Sequence, residues 1–408
     1  MPKQYIGFAR ALRETLAHVQ PGPPVTLPAT ECEGCVTAEQ HFARVDSPSV
    51  HTSLKDGYAL QAQDGERATG PGGTPLPVTG AAAAGQPPQG PLEPGSAWRI
   101  LTGARLPAGA DTVVAEEFVS RSGDHITINR RTEKGRNILP RGSDTAAGEL
   151  LLDAGRRLTP GRIGLLTAGG RQRLTVYSKL AVALVATGDE VLLPGLPLSP
   201  GKLYASNLLT LNGWCRQFGF DTALETCRDR ADDLRTAIRA ILKTRDALVT
   251  SGGAWTGDKD LVVRVLDDLG WRKIYHRVRL GPGKAVGFGT LDEKPVFILP
   301  GGPPSNLVAF LQLALPGLQR LAGVRKPGLP EMPAALAAPV SGPRDWTQAL
   351  FGSLQRAGSK LLFQPDGRPA SRLQGMAAAD ALLLVPEGID RFSANQDVTV
   401  QLLNRYWS

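Results

Sequence analysis

The sequence predicts a multidomain protein, a central α/β domain combined with β-rich units, and three observations carry that expectation. Apolar runs stop at small residues three times: Lys179–Val191 reads KLAVALVATGDEV, Asp246–Asp260 reads DALVTSGGAWTGDKD, and Pro295–Asn306 reads PVFILPGGPPSN. Each is the continuous pattern of a buried parallel strand, ending in a loop of glycine with hydroxyl or acidic residues. Helical patterns separate the three. That alternation describes one doubly wound, three-layer sheet with a single crevice outside the carboxyl ends of its strands.

Taken in chain order, the N-terminus places apolar Ile6, Ala9, Leu12, Leu16 and Val19 among charged residues, an amphipathic helix stopped near Pro21. A proline-rich passage and a short strand at 42–45 follow. Residues 46–146 are dense in glycine and proline, with strand-like runs at 97–101, 112–114 and 125–128, and read as an inserted β-rich domain. The strand–helix pattern then returns, with Pro160 at a helix start, and residues 147–178 are expected to pack with the N-terminal helix as one linker domain of 1–45 and 147–178. The α/β domain spans 179–326, with Leu234, Ile238, Ile241 and Leu242 on one face of a helix at 231–243. Residues 327–408 alternate short strands and turns, a small barrel or sandwich.

Composition narrows the function. The chain has 408 residues, 42% hydrophobic and 21% charged, with a net charge of +8, ordinary for a soluble globular protein. No block of Lys and Arg stands out, so nucleic acid is not an expected partner, whereas a pocket for a small polyanion is. No targeting or membrane segment is visible, which predicts a cytoplasmic protein. Cys32 and Cys35 form a lone C-x-x-C without a second pair, and the histidines show no metal-ligand spacing. Ordinary reduced thiols are expected.

The loop at 251–260 carries the chemistry. Ser251, Gly252 and Gly253 let a backbone approach a ligand, and the helix expected at about 260–269 presents free N–H groups that favour an anion such as phosphate. Asp258 and Asp260 beside an anion make sense with a divalent cation between them, since Mg²⁺ is commonly held by one or two carboxylates plus phosphate oxygens. The plain alternative is a polar strand-to-helix turn. The same design at Thr187–Glu190 and at Pro300–Ser305 shifts the weight toward a site.

Read together, the motifs resemble the molybdopterin molybdenumtransferase family, the MoeA and gephyrin E-domain type. Ser53–Leu60 resembles S-A-M-D-G-Y-A-V; Ile100–Ala104 with Leu106–Glu117 resembles I-x-T-G-A-x-x-P-x-G-A-D-x-V-V-x-x-E; Asn137–Asp144 resembles N-I-R-x-x-G-x-D. Thr187–Glu190 with Pro200–Asn207, Asp246–Gly253, Gly281–Lys284 and Leu299–Ser305 follow in the family's order. The resemblance implies a homodimer of elongated four-domain subunits, each with a molybdopterin-binding α/β domain and a C-terminal β-barrel. It also implies insertion of molybdate, or tungstate, into adenylylated molybdopterin with release of AMP, aided by Mg²⁺ or another divalent cation. Partners would include the oxidoreductases that receive the cofactor and other cofactor-synthesis proteins.

By position, the resemblance assigns Glu190 and Asp260 to the cation or to general-base work, with Asp229 as a further acid. Thr187, Gly188, Asp189, Ser251, Gly252, Gly253, Pro300, Gly301 and Ser305 would line the ligand crevice, with Arg277 and Lys284 as its cations. Asp56, Thr102 and Asp144 would face the crevice of the partner subunit. The chain departs from the pattern at Gly281, where the family has lysine, at Gly302, Trp255 and Gln348, and a second family lysine falls at Arg277. A non-catalytic molybdopterin carrier or scaffold of the same fold is the competing function, and adenylylation of molybdopterin a third. The number of retained acids favours the transferase over the carrier, and the units flanking the α/β domain disfavour the third.

Overall fold

The computed structural model describes residues 5–70, 72–195, 197–252, 261–367 and 372–403. Its α/β region holds a six-stranded sheet ordered Asp221–Cys227, Ala181–Thr187, Ala247–Ser251, Lys294–Leu299, Gly287–Leu291 and Arg272–His276. The first four are mutually parallel, and Gly287–Leu291 runs antiparallel to both of its neighbours. Side chains of Ala181–Thr187 alternate between two cores: Val182, Leu184 and Ala186 join Leu208 and Leu211 on one face, while Ala183 and Val185 join Leu234 and Ile238 on the other. Burial on both faces is why this strand reads as unbroken apolar sequence. Helix Ala231–Thr244 buries Leu234, Ile238, Ile241 and Leu242 as its spacing predicts. A long helical run continues from Pro303–Ala309 through a π-helical turn, Phe310–Ala314, to Leu315–Leu321.

The N-terminal helix, Phe8–Ala17, meets its expectation in part: Val19, just beyond it, is buried in the α/β core, and Ile6 and Leu12 pack against that core. Ala9 is exposed, the helix's own buried residues are Ala11 and Thr15, and Ile6 is a strand residue paired with Val278. Ala11 joins the α/β core, and the Thr15 hydroxyl lies 2.7 Å from that of buried Tyr275. The helix is therefore docked on the α/β domain, not on residues 147–178. Those residues pair instead with the chain just after the helix: Arg173–Tyr177 lies between Val25–Pro28 and Val36–Thr37, and Leu150–Leu152 pairs with His41–Phe42. Their shared core holds Leu158, Leu166 and Leu174 with Cys32 and Cys35. Cys32 donates to Pro28 O at 3.1 Å, and burial, then the neighbouring Cys35, pushes its thiol up to about 11, far from a reactive thiolate.

The β-rich region forms a six-stranded sheet from Val119–Ser122, His125–Ile128, Leu76–Ala82, Ala97–Ile100, Gly57–Leu60 and Thr112–Ala115. Near the C-terminus, Thr347–Ala357, Lys360–Pro365, Glu331–Leu336, Asp397–Leu402 and Ala381–Val385 pair in that order, and the last returns to the first. The result is a closed five-stranded barrel, which settles the choice against a sandwich. Strand Val278–Gly281 runs from the α/β domain to this barrel, with Ile6–Gly7 on its other side. Glu387 fastens the junction, accepting from Phe8 N at 2.9 Å and from Arg279 Nη2 at 2.8 Å.

Candidate active site

Three strand ends converge because glycine allows their backbones to touch. Gly252, at φ +99°, follows Ser251, and a Cβ there would stand 2.8 Å from Thr187 O. Only glycine tolerates both that dihedral and that approach. On the opposite flank, a Cβ on Gly301 would lie 3.8 Å from Gly252 Cα. Thr187, Ser251 and Pro300 thus end side by side, as the repeated sequence pattern implies. The Thr187 hydroxyl is buried there without a hydrogen-bond partner among the described residues. A buried unpaired hydroxyl costs free energy and marks a place where a ligand or water completes the bonding.

Two amides that were not among the expected site residues organise this crevice. Asn207, near the start of helix Ser206–Gln217, donates to Ser251 Oγ at 3.3 Å and to Gly301 O at 2.8 Å. Asn306, 1% exposed, donates to the same Ser251 Oγ at 3.0 Å and to Pro300 O at 2.9 Å. Asn207 ends the motif Pro200–Asn207, and Asn306 ends the segment PVFILPGGPPSN. The available signal is an amide side chain within the first turn of a helix that follows a loop.

Acids gather at the crevice edge. Asp229 N donates to Asp189 Oδ1 at 3.2 Å, and burial, followed by the charges of Asp189 and Glu190, raises the Asp229 carboxyl above its usual range. The Glu190 carboxylate folds back over Gly188, where an added Cβ would meet Oε2 at 2.7 Å. Asp189, Glu190 and Asp229 are therefore brought together. Lys202 Nζ donates to the backbone oxygen of Asp189 at 2.6 Å. Gly253 and Asp260, with Trp255 and Asp258, lie outside the described residues. Among the described residues, no group of three or more His, Cys, Asp or Glu stands in a metal-holding arrangement.

The hairpin at 276–287 borders the crevice through its turn. A Cβ on Gly283 would be 3.4 Å from Ser305 O, which sets the Gly281–Lys284 turn beside the helix that starts at Pro303. Lys284 is exposed; Arg277 is half-buried at φ 77°, with Nε buried and unpartnered among the described residues. No hydrogen bond joins Arg277 or Lys284 side chains to the crevice among the described residues. Burial and then the charge of Arg277 depress His276 to about 4.

In the inserted region, Asp56 and Thr102 meet directly. Asp56 Oδ1 accepts from Thr102 N at 2.6 Å and from its hydroxyl at 2.8 Å, and those bonds hold the carboxyl below its usual range. Asp144 is also exposed and its N–H donates to Ser47 O at 2.9 Å, on a segment whose neighbour Ile138–Leu139 pairs with Thr52–Ser53. Among the described residues no bond links these three to the crevice of their own chain.

Comparison with known proteins covers most of the chain. Residues 6–170 match the family described as MoeA N-terminal region (domain I and II), 183–320 match a probable molybdopterin binding domain, and 333–403 match MoeA C-terminal region (domain IV). The chain is 32% identical to molybdopterin molybdenumtransferase 2 of Mycobacterium tuberculosis, over 92% of its own length and 94% of that protein. It is 32% identical to the Haemophilus influenzae molybdopterin molybdenumtransferase over 72% of each chain. The fold is similar to the molybdopterin biosynthesis MoeA protein from Pyrococcus horikosii, with a TM-score of 0.77, 29% identity, and coverage of 99% and 100%.

Proposed function

Because the chain belongs to the molybdopterin molybdenumtransferase family and so works in molybdenum cofactor biosynthesis, we propose that it inserts molybdate or tungstate into adenylylated molybdopterin and releases AMP. The observation that carries this reading is the crevice itself. It joins a buried hydroxyl unpartnered among the described residues, a glycine, Gly252, that brings two strand ends together, and three neighbouring acids that repel one another. Hydroxyl and backbone donors suit the phosphate of the adenylate. The acids suit a cation rather than the anion.

A divalent ion such as Mg²⁺ needs only one or two carboxylates together with phosphate oxygens, and Glu190 with Asp260, the pair the resemblance assigns, would hold it. Once bound, it would neutralise charge on the phosphate that leaves. The chain's own residues do the rest. Thr187 and Ser251 orient the phosphate, and the strand ends keep it at the sheet edge. The exposed Asp56–Thr102 pair, fixed by two short bonds and with no bond to its own crevice among the described residues, serves the crevice of a partner subunit in a homodimer.

Incubation with adenylylated molybdopterin, Mg²⁺ and either oxyanion, following AMP release and metal retention, tests the reading. Glu190→Gln is expected to leave the fold intact and slow AMP release at least ~10-fold, about 1.4 kcal/mol of transition-state stabilisation. Unchanged turnover at saturating Mg²⁺ would remove Glu190 from the site.

A further inference from the structure

On the flank of the inserted region, an open groove of about 660 Å³ gathers positive charge over an apolar floor. Val50, Leu106, Pro107, Ala110 and Ile138 make the floor, and Arg105, Lys134, Arg141 and His51 stand exposed along it. The Arg105 and Lys134 side chains have no ion pair or hydrogen bond among the described residues. Arg141 is held by Asp46, its Nε 2.6 Å from the carboxylate. The Arg141 N–H donates to His51 Nδ1 at 3.1 Å, so the proton of the neutral ring sits on Nε2 and is left to donate. Asp111, the one acid in the lining, is engaged, its Oδ1 accepting from Ala62 N at 2.7 Å. None of the crevice residues named above lines this groove, and it runs away from the Asp56–Thr102 pair. Glu116 N donates to Asp56 O at one end of Gly57–Leu60, whereas Asp111 N donates to Leu60 O at the other.

We infer that this groove is a second binding site, separate from the crevice, for a small organic anion with an oxyanion head and an apolar body. Its volume of about 660 Å³ falls within the roughly 300–1,000 Å³ of small-molecule sites. An inorganic ion would leave the floor bare, and covering Val50, Leu106 and Ile138 supplies the favourable burial of apolar surface. A wholly apolar ligand would strip water from Arg105 and Lys134 and return no partner. With a charged head, the Arg105 guanidinium offers a planar fork to two oxygens and Lys134 a point charge. Both chain crossings into the inserted region line the groove, Val50 and His51 on the way in and Pro140 and Arg141 on the way out. A bound ligand therefore touches the joint that carries the inserted region.

The test is a fluorescence titration of the full-length protein with anilinonaphthalene sulfonate, an aromatic body bearing one anionic head, beside its sulfonate-free parent compound. Arg105→Glu reverses an exposed charge without touching the core. It should weaken sulfonate binding ~10-fold or more and leave binding of the uncharged parent unchanged. Lys134→Glu should weaken the sulfonate as well. Thr187→Val, altered in the crevice, should bind it as the unaltered protein does. Equal sulfonate affinity for Arg105→Glu and the unaltered protein would overturn the inference. So would a loss in Thr187→Val matching that in Arg105→Glu, because the probe would then sit in the crevice. Equal binding of the sulfonate and its uncharged parent would reduce the groove to an apolar patch. Failure of the unaltered protein to bind the sulfonate would also overturn the inference, and capture of a polyglutamate peptide in that case would assign the groove to an acidic protein segment.

Discussion

At position 281 the family resemblance calls for lysine, and the residue that would collide with it is another departure. Gly281 pairs in register with Gln348, and a Cβ on Gly281 would lie 2.9 Å from Gln348 Nε2. A Cβ on Gly342 would lie 2.7 Å from Gln348 Cγ, so the glutamine side chain fills the gap between two glycines. Gly281→Lys alone should therefore destabilise the protein by about 1–3 kcal/mol through overpacking. Gln348→Ala beside it should recover most of that loss, and a double-mutant cycle by urea unfolding measures the coupling. Additive losses would show the two departures to be independent. Asp229 offers a second test at this scale. Its folded carboxyl binds a proton more tightly than the unfolded one, so stability falls as pH rises through the folded value, and the penalty is fully present above it. Asp229→Asn should then raise the melting temperature at pH 7 and confer little gain below about pH 3.9, the ordinary carboxylate value. Equal gains at both pH values would point to a cause other than ionisation.

Elements were legible where one periodicity dominated. Strands buried on both faces, such as Ala181–Thr187, show as unbroken apolar runs, and helix Ala231–Thr244 shows its single face. The first helix was harder, because its actual docking contacts include a hydroxyl, Thr15, and a small residue, Ala11, neither of which an apolar stripe selects. The site divided similarly. Glycines and acids at strand ends announce a crevice, whereas Asn207 and Asn306 earn their places by bonds to backbone oxygens that only the folded chain brings near. Glu387 is the extreme case, since it meets Phe8 across 379 positions of sequence. The first helix has no side-chain cap of its own, and Glu387 substitutes for one. Glu387→Ala should cost about 1 kcal/mol, the usual loss for a removed N-terminal cap, and raise hydrogen exchange at the first turn of that helix. Unaltered exchange at Phe8 would discount the cap.

Across the whole molecule, the exposed Asp56–Thr102 pair and the crevice belong to different regions of one chain, which leads to the homodimer proposed above. Light scattering at micromolar concentration should give twice the 43.3 kDa chain mass. A monomer would count against a site shared between subunits. Mixing Glu190→Gln with Thr102→Ala protein after subunit exchange should restore activity to a fraction of the dimers, because one of two sites would then be intact. No recovery after verified exchange would place both residues in a site built from one chain.

The joint between Ile6–Gly7, Val278–Gly281 and Glu387 has a consequence for how the protein is made. Those residues leave the ribosome long before their strand partner at Val278 and their cap at Glu387, which follows Phe8 by 379 positions. Contacts of such long sequence separation form late, after nearer segments have organised. The amphipathic opening segment must therefore wait, apolar face exposed, while the inserted sheet and the α/β domain fold behind it. A nascent chain arrested before residue 278 should leave that segment open to protease, and one arrested after 387 and clear of the exit tunnel should protect it.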